Sequence, residues 1–240
     1  MSKAPYMSTH DYLIPCGNET ISCAIDYADG KINPSVINLH GAGPSDKSSA
    51  LYLLNEIQKT GKTILRFDYP GQGQSSGDMK YSSLRKRYTQ TKAILEHFDL
   101  KDNLTVIGTS MGGYIACHLT KEYDVANLIL FCPAAYTVRA WDVAFGSGFT
   151  EIIRSPGSFL ETDIGNILAD FSGNALFFIG SRDEIIPQQV VDIYKAGLSN
   201  CRRFEAVNID DCPHPIHRWV TKRDTVRNNI INKVLDFLNN

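Results

Sequence analysis

The stretch Gly108-Thr109-Ser110-Met111-Gly112-Gly113 carries the strongest chemical signal in the chain. It follows the apolar run Leu104 to Ile107 directly and leads straight into a helical stretch. A strand, a sharp turn and a helix are what a nucleophilic serine needs. Small glycines relieve crowding at the turn, the hydroxyl projects above the sheet, and the helix N-terminus favours negative charge beside it. The plainer alternative is a glycine-rich turn used only for tight helix-sheet packing. A second signal is His40-Gly41-Ala42-Gly43, immediately after Val36 to Leu39. Acyl transfer builds negative charge on a carbonyl oxygen, and fixed backbone N–H groups aimed at that oxygen are its main stabiliser. The loop supplies one such group from Ala42, and Met111, the residue after the nucleophile, supplies the other. His40 itself is expected to bond the loop's backbone rather than to act as a base.

Together with Phe67-Asp68-Tyr69-Pro70-Gly71-Gln72-Gly73-Gln74-Ser75, these motifs make the chain resemble the α/β-hydrolase superfamily, and within it the small esterases and monoacylglycerol-lipase-like hydrolases. The resemblance runs from about Ser35 to the C-terminus and leaves residues 134–172 without a match. It implies that the Asp-Tyr-Pro-Gly-Gln-Gly stretch is a structural turn near the active-site edge. Reading Gly71 and Gly73 as a dinucleotide loop fails, because Ser76 stands where the third glycine of GxGxxG belongs. The resemblance further implies that an acid and then a histidine follow the serine in chain order. Past the candidate acid only His214 and His217 remain, both in Asp211-Cys212-Pro213-His214-Pro215-Ile216-His217, after the strand-like run Arg203 to Ile209. The family's histidine sits in the loop after the last strand, which favours His214. Pro213 and Pro215 depart from the common pattern, and His217 stays open as the alternative. Just past Ala175 to Ile179, Asp183 matches the family position of the acid, with Glu184 as its alternative.

A serine hydroxyl is a poor nucleophile until a base takes its proton, and the base needs an acid to hold its tautomer and balance its charge. The expectation is therefore a serine hydrolase that cleaves a small carboxylic ester through an acyl-enzyme. Ser110, Asp183 and His214 form its triad, Ala42 and Met111 its oxyanion hole, and no cofactor is needed. Thioesterase, acyltransferase or peptidase chemistry fits the same residues, as does a non-catalytic hydrolase-like binding module. A metal site made of Cys212, His214 and His217 has no further ligand cluster to complete it, so no metal is expected.

The elements that must position these residues are legible as periodicity. Tyr12 to Cys16 and Thr20 to Tyr27, separated by Gly17-Asn18, read as a hairpin. Val36 to Leu39, Thr63 to Phe67, Leu104 to Ile107, Leu128 to Phe131 and Ala175 to Ile179 are short apolar runs of the kind buried on both faces of a parallel sheet. Helical stretches lie between them, at about Ser45 to Thr60, Ser82 to Phe98, Met111 to Glu122 and Pro187 to Leu198, with Thr225 to Leu238 closing the chain. That alternation predicts an α/β fold, a mostly parallel sheet with helices on both faces, in a single domain over residues 1–240. Ala134 to Ser172 interrupts it with several short pieces, read as a small lid over the carboxyl ends of the strands. Arg85-Lys86-Arg87, with Lys80 and Lys92 nearby, is expected to be a solvated helix face.

Composition narrows the setting. Twenty-four basic against 26 acidic residues give a net charge of −2, which leaves no electrostatic footprint for nucleic acid. No run approaches a membrane span, and the N-terminal residues lack the apolar core of a signal peptide, so a cytoplasmic protein is expected. The six cysteines are scattered without a CxxC pair and read as free thiols in that compartment. The partner expected is a small-molecule acyl ester, and nothing in the sequence fixes an oligomeric state.

Overall fold

The computed structural model describes residues 7–28 and 33–239. Strands β1 (Ser8–Cys16) and β2 (Glu19–Tyr27) form the hairpin, turning at Gly17 with φ 60°. Six more strands follow: β3 (Val36–Leu39), β4 (Ile64–Phe67), β5 (Leu104–Thr109), β6 (Val125–Phe131), β7 (Asn174–Gly180) and β8 (Arg203–Ile209). They make one sheet in the order β1-β2-β4-β3-β5-β6-β7-β8. Only β1 against β2 and β2 against β4 are antiparallel. The remaining pairs are parallel.

The central strands are apolar at successive positions because both faces of the sheet are covered. Ile37, Leu65, Val106 and Leu128 point into one cluster, together with Ile94, Tyr114, Leu168 and Tyr194. Their neighbours Val36, Ile64, Ile107 and Ile129 point into the other, with Leu53, Ile57, Ile230 and Val234. The first face carries α2 (Leu84–His97), α3 (Met111–Leu119), α5 (Ile164–Ala169) and α6 (Gln188–Gly197). The second carries α1 (Leu51–Lys59), the short α7 (Ile216–Val220) and α8 (Asp224–Asn239). Among the described residues, no helix is long and apolar enough to cross a membrane.

Register aligns the strand ends. Leu39 lies opposite Gly108, Thr109 opposite Phe131, Phe131 opposite Phe178 and Gly180 opposite Ile209. The carboxyl ends of β3, β5, β6, β7 and β8 therefore finish along one edge, where ligands bind in open α/β sheets.

Two expectations are corrected. The helix expected from Ser45 starts at Leu51, because residues 45–50 are held as a turn: the Lys47 N–H donates to the buried Asp68 carboxylate at 2.7 Å and the Asp46 N–H to Ser49 Oγ at 3.0 Å. The basic patch is not a solvated face throughout. Arg85 and Lys86 reach Asp142 and Glu19, but Arg87 has no exposed surface and lies 4.6 Å from the Tyr69 ring centroid and 5.2 Å from that of Phe145. Residues distant in sequence cover it.

The insertion consists of short pieces: single turns at 138–140 and 158–161, a kinked turn at 145–149, α4 (Thr150–Ile153) and α5. Phe149, Ile164, Ile167 and Leu168 are buried in the core rather than turned to the sheet edge. Trp141 stacks on His118 at 4.5 Å.

Candidate active site

Ser110 stands between β5 and α3 with φ 52° and ψ −117°, a conformation unusual for a residue with a Cβ. The chain holds it there. Its N–H donates to the Phe131 carbonyl at 2.9 Å, and its own carbonyl accepts from Ala134 at 3.0 Å. The flanking glycines are required by close approach. A Cβ on Gly108 would lie 2.7 Å from the Gly112 carbonyl oxygen, and one on Gly112 would strike the carbonyls of Leu39 and His40. Helix α3 therefore packs directly on the end of β3, which brings the following loop to Ser110.

His214 lies in the loop after β8. Its Nε2 is 3.0 Å from Ser110 Oγ and its Nδ1 is 2.8 Å from Asp183 Oδ2. A carboxylate only accepts, so Nδ1 carries the proton and Nε2 is free to accept from the serine hydroxyl. Asp183 is fixed from the other side, Oδ1 accepting from the N–H groups of Ile185 and Ile186 at 2.9 and 3.0 Å. Burial alone would raise its carboxyl. The hydrogen bond and charge of His214, with the two backbone N–H groups, outweigh burial and hold it below the ordinary value. The two loops are stitched together: Arg182 N–H donates to the Cys212 carbonyl and Asp211 N–H to Ser181 Oγ. Glu184 is exposed.

His217 sits in α7, buried and turned elsewhere. Its Nε2 is 2.8 Å from Thr109 Oγ1 and its Nδ1 is 3.2 Å from Tyr52 Oη, and burial pushes the imidazole down to about 4. It braces the residue before Ser110. With both its nitrogens engaged there, the trio Cys212, His214 and His217 weighed from the sequence is not brought together.

The loop 41–45 passes close to Ser110: a Cβ on Gly41 would be 3.3 Å from Ser110 Cβ. Ala42 and Ser110 line a common cavity of about 210 Å³ with Ile216 and Arg218. The Ala42 N–H makes no hydrogen bond to the described residues, and Met111 opens α3, where first-turn N–H groups lack helical partners. Two side chains support the loop from behind: His40, expected to bond its backbone, and Gln72, which the sequence did not single out. Buried His40 accepts from Tyr69 N–H on Nε2 at 3.1 Å, so its Nδ1–H donates to the Gly41 carbonyl at 2.8 Å. Gln72 Nε2 donates to the carbonyls of Gly43 and Ser45 at 2.7 and 3.0 Å and, more weakly, to that of Gly41 at 3.3 Å. The Asp-Tyr-Pro-Gly-Gln-Gly stretch is thus a turn whose side chains hold this loop.

A second cavity of about 310 Å³ opens on the other side of Ser110, toward the insertion. Ala134, Tyr136, Ile153, Phe159, Ile186 and Val190 give it an apolar wall.

Residues 34–154 match the sequence pattern of the alpha/beta hydrolase fold family. Protein phosphatase methylesterase 1 of Bos taurus is 29% identical over 110 residues, which are 44% of this chain and 29% of that protein, so the match spans under a third of the relative's length. Among solved structures, a protein described as a predicted CIB-like hydrolase from Thermoplasma acidophilum is similar with a TM-score of 0.70 and 18% identity, over 97% of this chain and 99% of that one. Alpha/beta hydrolase domain-containing protein 10 from mouse gives a TM-score of 0.68 at 18% identity, over 96% of this chain and 98% of that one. At such identities the likeness shows the fold.

Proposed function

Because the chain belongs to the alpha/beta hydrolase fold family, we propose that it is a serine hydrolase cleaving a small carboxylic ester through an acyl-enzyme. The observation that carries this reading is the hydrogen-bonded line from Ser110 through His214 to Asp183 at the carboxyl edge of the sheet. Ser110 Oγ attacks the ester carbonyl carbon as its proton passes to His214 Nε2. Asp183 stabilises the imidazolium so formed, and the N–H groups of Ala42 and Met111 take the negative charge that develops on the carbonyl oxygen. His214 then returns the proton to the leaving alkoxide. Water enters by the same route: His214 takes its proton, its oxygen attacks the acyl carbon, and the acid departs as Ser110 regains its hydrogen.

The two cavities that meet at Ser110 give this chemistry a place for each half of an ester. The apolar one beside the insertion suits the acyl chain, with residues 134–172 as a lid, and the one beside Ala42 suits the alcohol. The name of the bovine relative, a methylesterase, agrees with ester rather than amide cleavage. The six cysteines are unpaired, which suits the reducing cytoplasm we propose as its location. A fluorophosphonate probe tests the reading: one label per chain on Ser110 is expected, and a folded protein that does not label overturns it.

A further inference from the structure

Cys132 follows the last residue of β6 and is turned by a positive φ of 42°. It is 3% exposed, and the proposed reaction has no use for its thiol. Its Sγ, a carboxylate oxygen of Asp183 and a ring nitrogen of His214 all lie within 4.8 Å of one another, the only such grouping among the described residues. Cys132 and Asp183 also line a cavity of about 270 Å³, with Gly180, Ser181 and Asn208, to which neither Ser110 nor His214 contributes. The two residues thus border a cavity distinct from the two that meet at Ser110.

We infer that Cys132, Asp183 and His214 form an inhibitory site for one zinc ion. A thiolate, a carboxylate and an imidazole are the three donor types zinc takes, and three protein ligands plus one water complete its tetrahedron. Zinc bonds of about 2.0 to 2.3 Å set tetrahedral neighbours roughly 3.3 to 3.8 Å apart. The ion therefore enters by widening the 2.8 Å contact between Asp183 and His214 and drawing the sulfur toward them. Two negative ligands and one neutral ligand cancel its charge, which suits a half-buried place. A single carboxylate offers too few oxygens for calcium or magnesium.

The proton ledger gives the consequence. Cys132 releases its proton to solvent, Asp183 is already ionised, and the proton on His214 Nδ1 leaves as one returns to Nε2. Nε2 then bears hydrogen and has no lone pair to accept from Ser110. The bound ion and the active base exclude each other. Metal binding stands independently of the proposed function, whereas the inhibitory effect rests on it.

The test titrates chelator-stripped protein with zinc chloride against a chromogenic zinc chelator. Wild type and S110A should each bind about one ion, and C132A and C132S should bind at least about tenfold more weakly, since loss of a ligand exceeds the loss of an outer-shell partner. C212A should bind as wild type does. Cobalt(II) gives a second readout, a thiolate-to-cobalt charge-transfer band present in wild type and missing in C132S. If neither Cys132 variant folds, H214A takes their place and must lose the metal. Equal zinc affinity in folded C132A and wild type overturns the site. Fluorophosphonate labelling of the wild type should cease when zinc is bound and return with EDTA; labelling that continues at saturating zinc overturns the inhibition. A protein that binds zinc through Cys132 yet never labels, even with EDTA, sinks the hydrolase reading and leaves the metal site standing.

Discussion

Arg87 donates to the side-chain oxygen of Gln72 from a position with no solvent exposure. That single bond turns the Gln72 amide so that its NH₂ faces the carbonyls of the loop carrying Ala42. Two further guanidinium nitrogens, Nε and Nη1, have no hydrogen-bond partner among the described residues, so the arginine is held at a cost in desolvation. Such a cost suits a positioning role better than a stabilising one.

Replacing Arg87 with Met should therefore leave thermal stability unchanged or raised while slowing turnover by about ten- to a hundredfold, as misplacement of a reacting group by an ångström does. Gln72→Leu should slow turnover comparably and also lower stability, because it strands the loop carbonyls. Melting curves with single-turnover acylation rates separate the two effects. An unchanged acylation rate in Arg87→Met would mean that the loop keeps its place without Arg87.

Ser110→Ala should abolish labelling and turnover, a loss on the order of a millionfold. His214→Ala should approach it, and Asp183→Asn should lose about ten-thousandfold by admitting the wrong tautomer. Glu184→Gln should be nearly silent, since that side chain is exposed. His217→Gln should cost stability more than chemistry. Rate constants for the five variants on one aryl ester decide it, and a dead His217 variant with an active His214 variant would reverse the assignment.

The sheet was legible because strands buried on both faces leave apolar runs, and the serine because glycines flank it on both sides. Asp183 and His214 were reached only through the resemblance: the family position just past Ala175 to Ile179 selected Asp183, and chain order narrowed the candidate bases to His214 and His217, of which the loop after the last strand favoured His214. Geometry separates these two, since α7 starts at Ile216 and carries His217 round to Thr109. Arg87 was misread because a cluster of cations on a polar helix looks solvated, while what buries it, Tyr69 and Phe145, comes from other parts of the chain. Cys132 likewise gains its neighbours only when β6 and β7 pair in parallel.

Stability should depend on pH through two buried histidines, His40 and His217. Burial lowers both His40 and His217 from 6.5 to about 4; at His40 the Arg87 charge acts in the same direction, against the Gly41 carbonyl and the charges of Asp68 and Asp46. Between those values the unfolded chain holds a proton on each and the folded chain does not. Acidification therefore favours unfolding, and stability present above about pH 6.5 is lost as pH falls toward 4, on the order of 3 kcal/mol per histidine. Urea midpoints at pH 7, 6, 5 and 4.5 measure the slope, which His217→Gln should reduce by about half. A midpoint that does not move over this range would falsify the neutral burial of both rings.

The last prediction concerns the acyl chain. The cavity beside the insertion holds about 310 Å³ and is walled by Ile153 and Phe159 from the insertion and by Ile186 and Val190 from the segment after β7. Each methylene it buries gains about 0.8 kcal/mol, a several-fold preference per added carbon until the space is full. The volume lies at the small end for ligand pockets, and much of the insertion's apolar surface is spent on the core. Specificity constants on aryl esters should therefore climb from acetate to a medium-length chain and then fall, with little activity on long-chain triglyceride emulsions. Phe159→Ala should move the optimum to a longer chain, because it removes a wall of the cavity while its own ring is only partly buried in the core. A profile that is flat, or that declines steadily from acetate in both proteins, would show that the acyl chain does not enter this cavity.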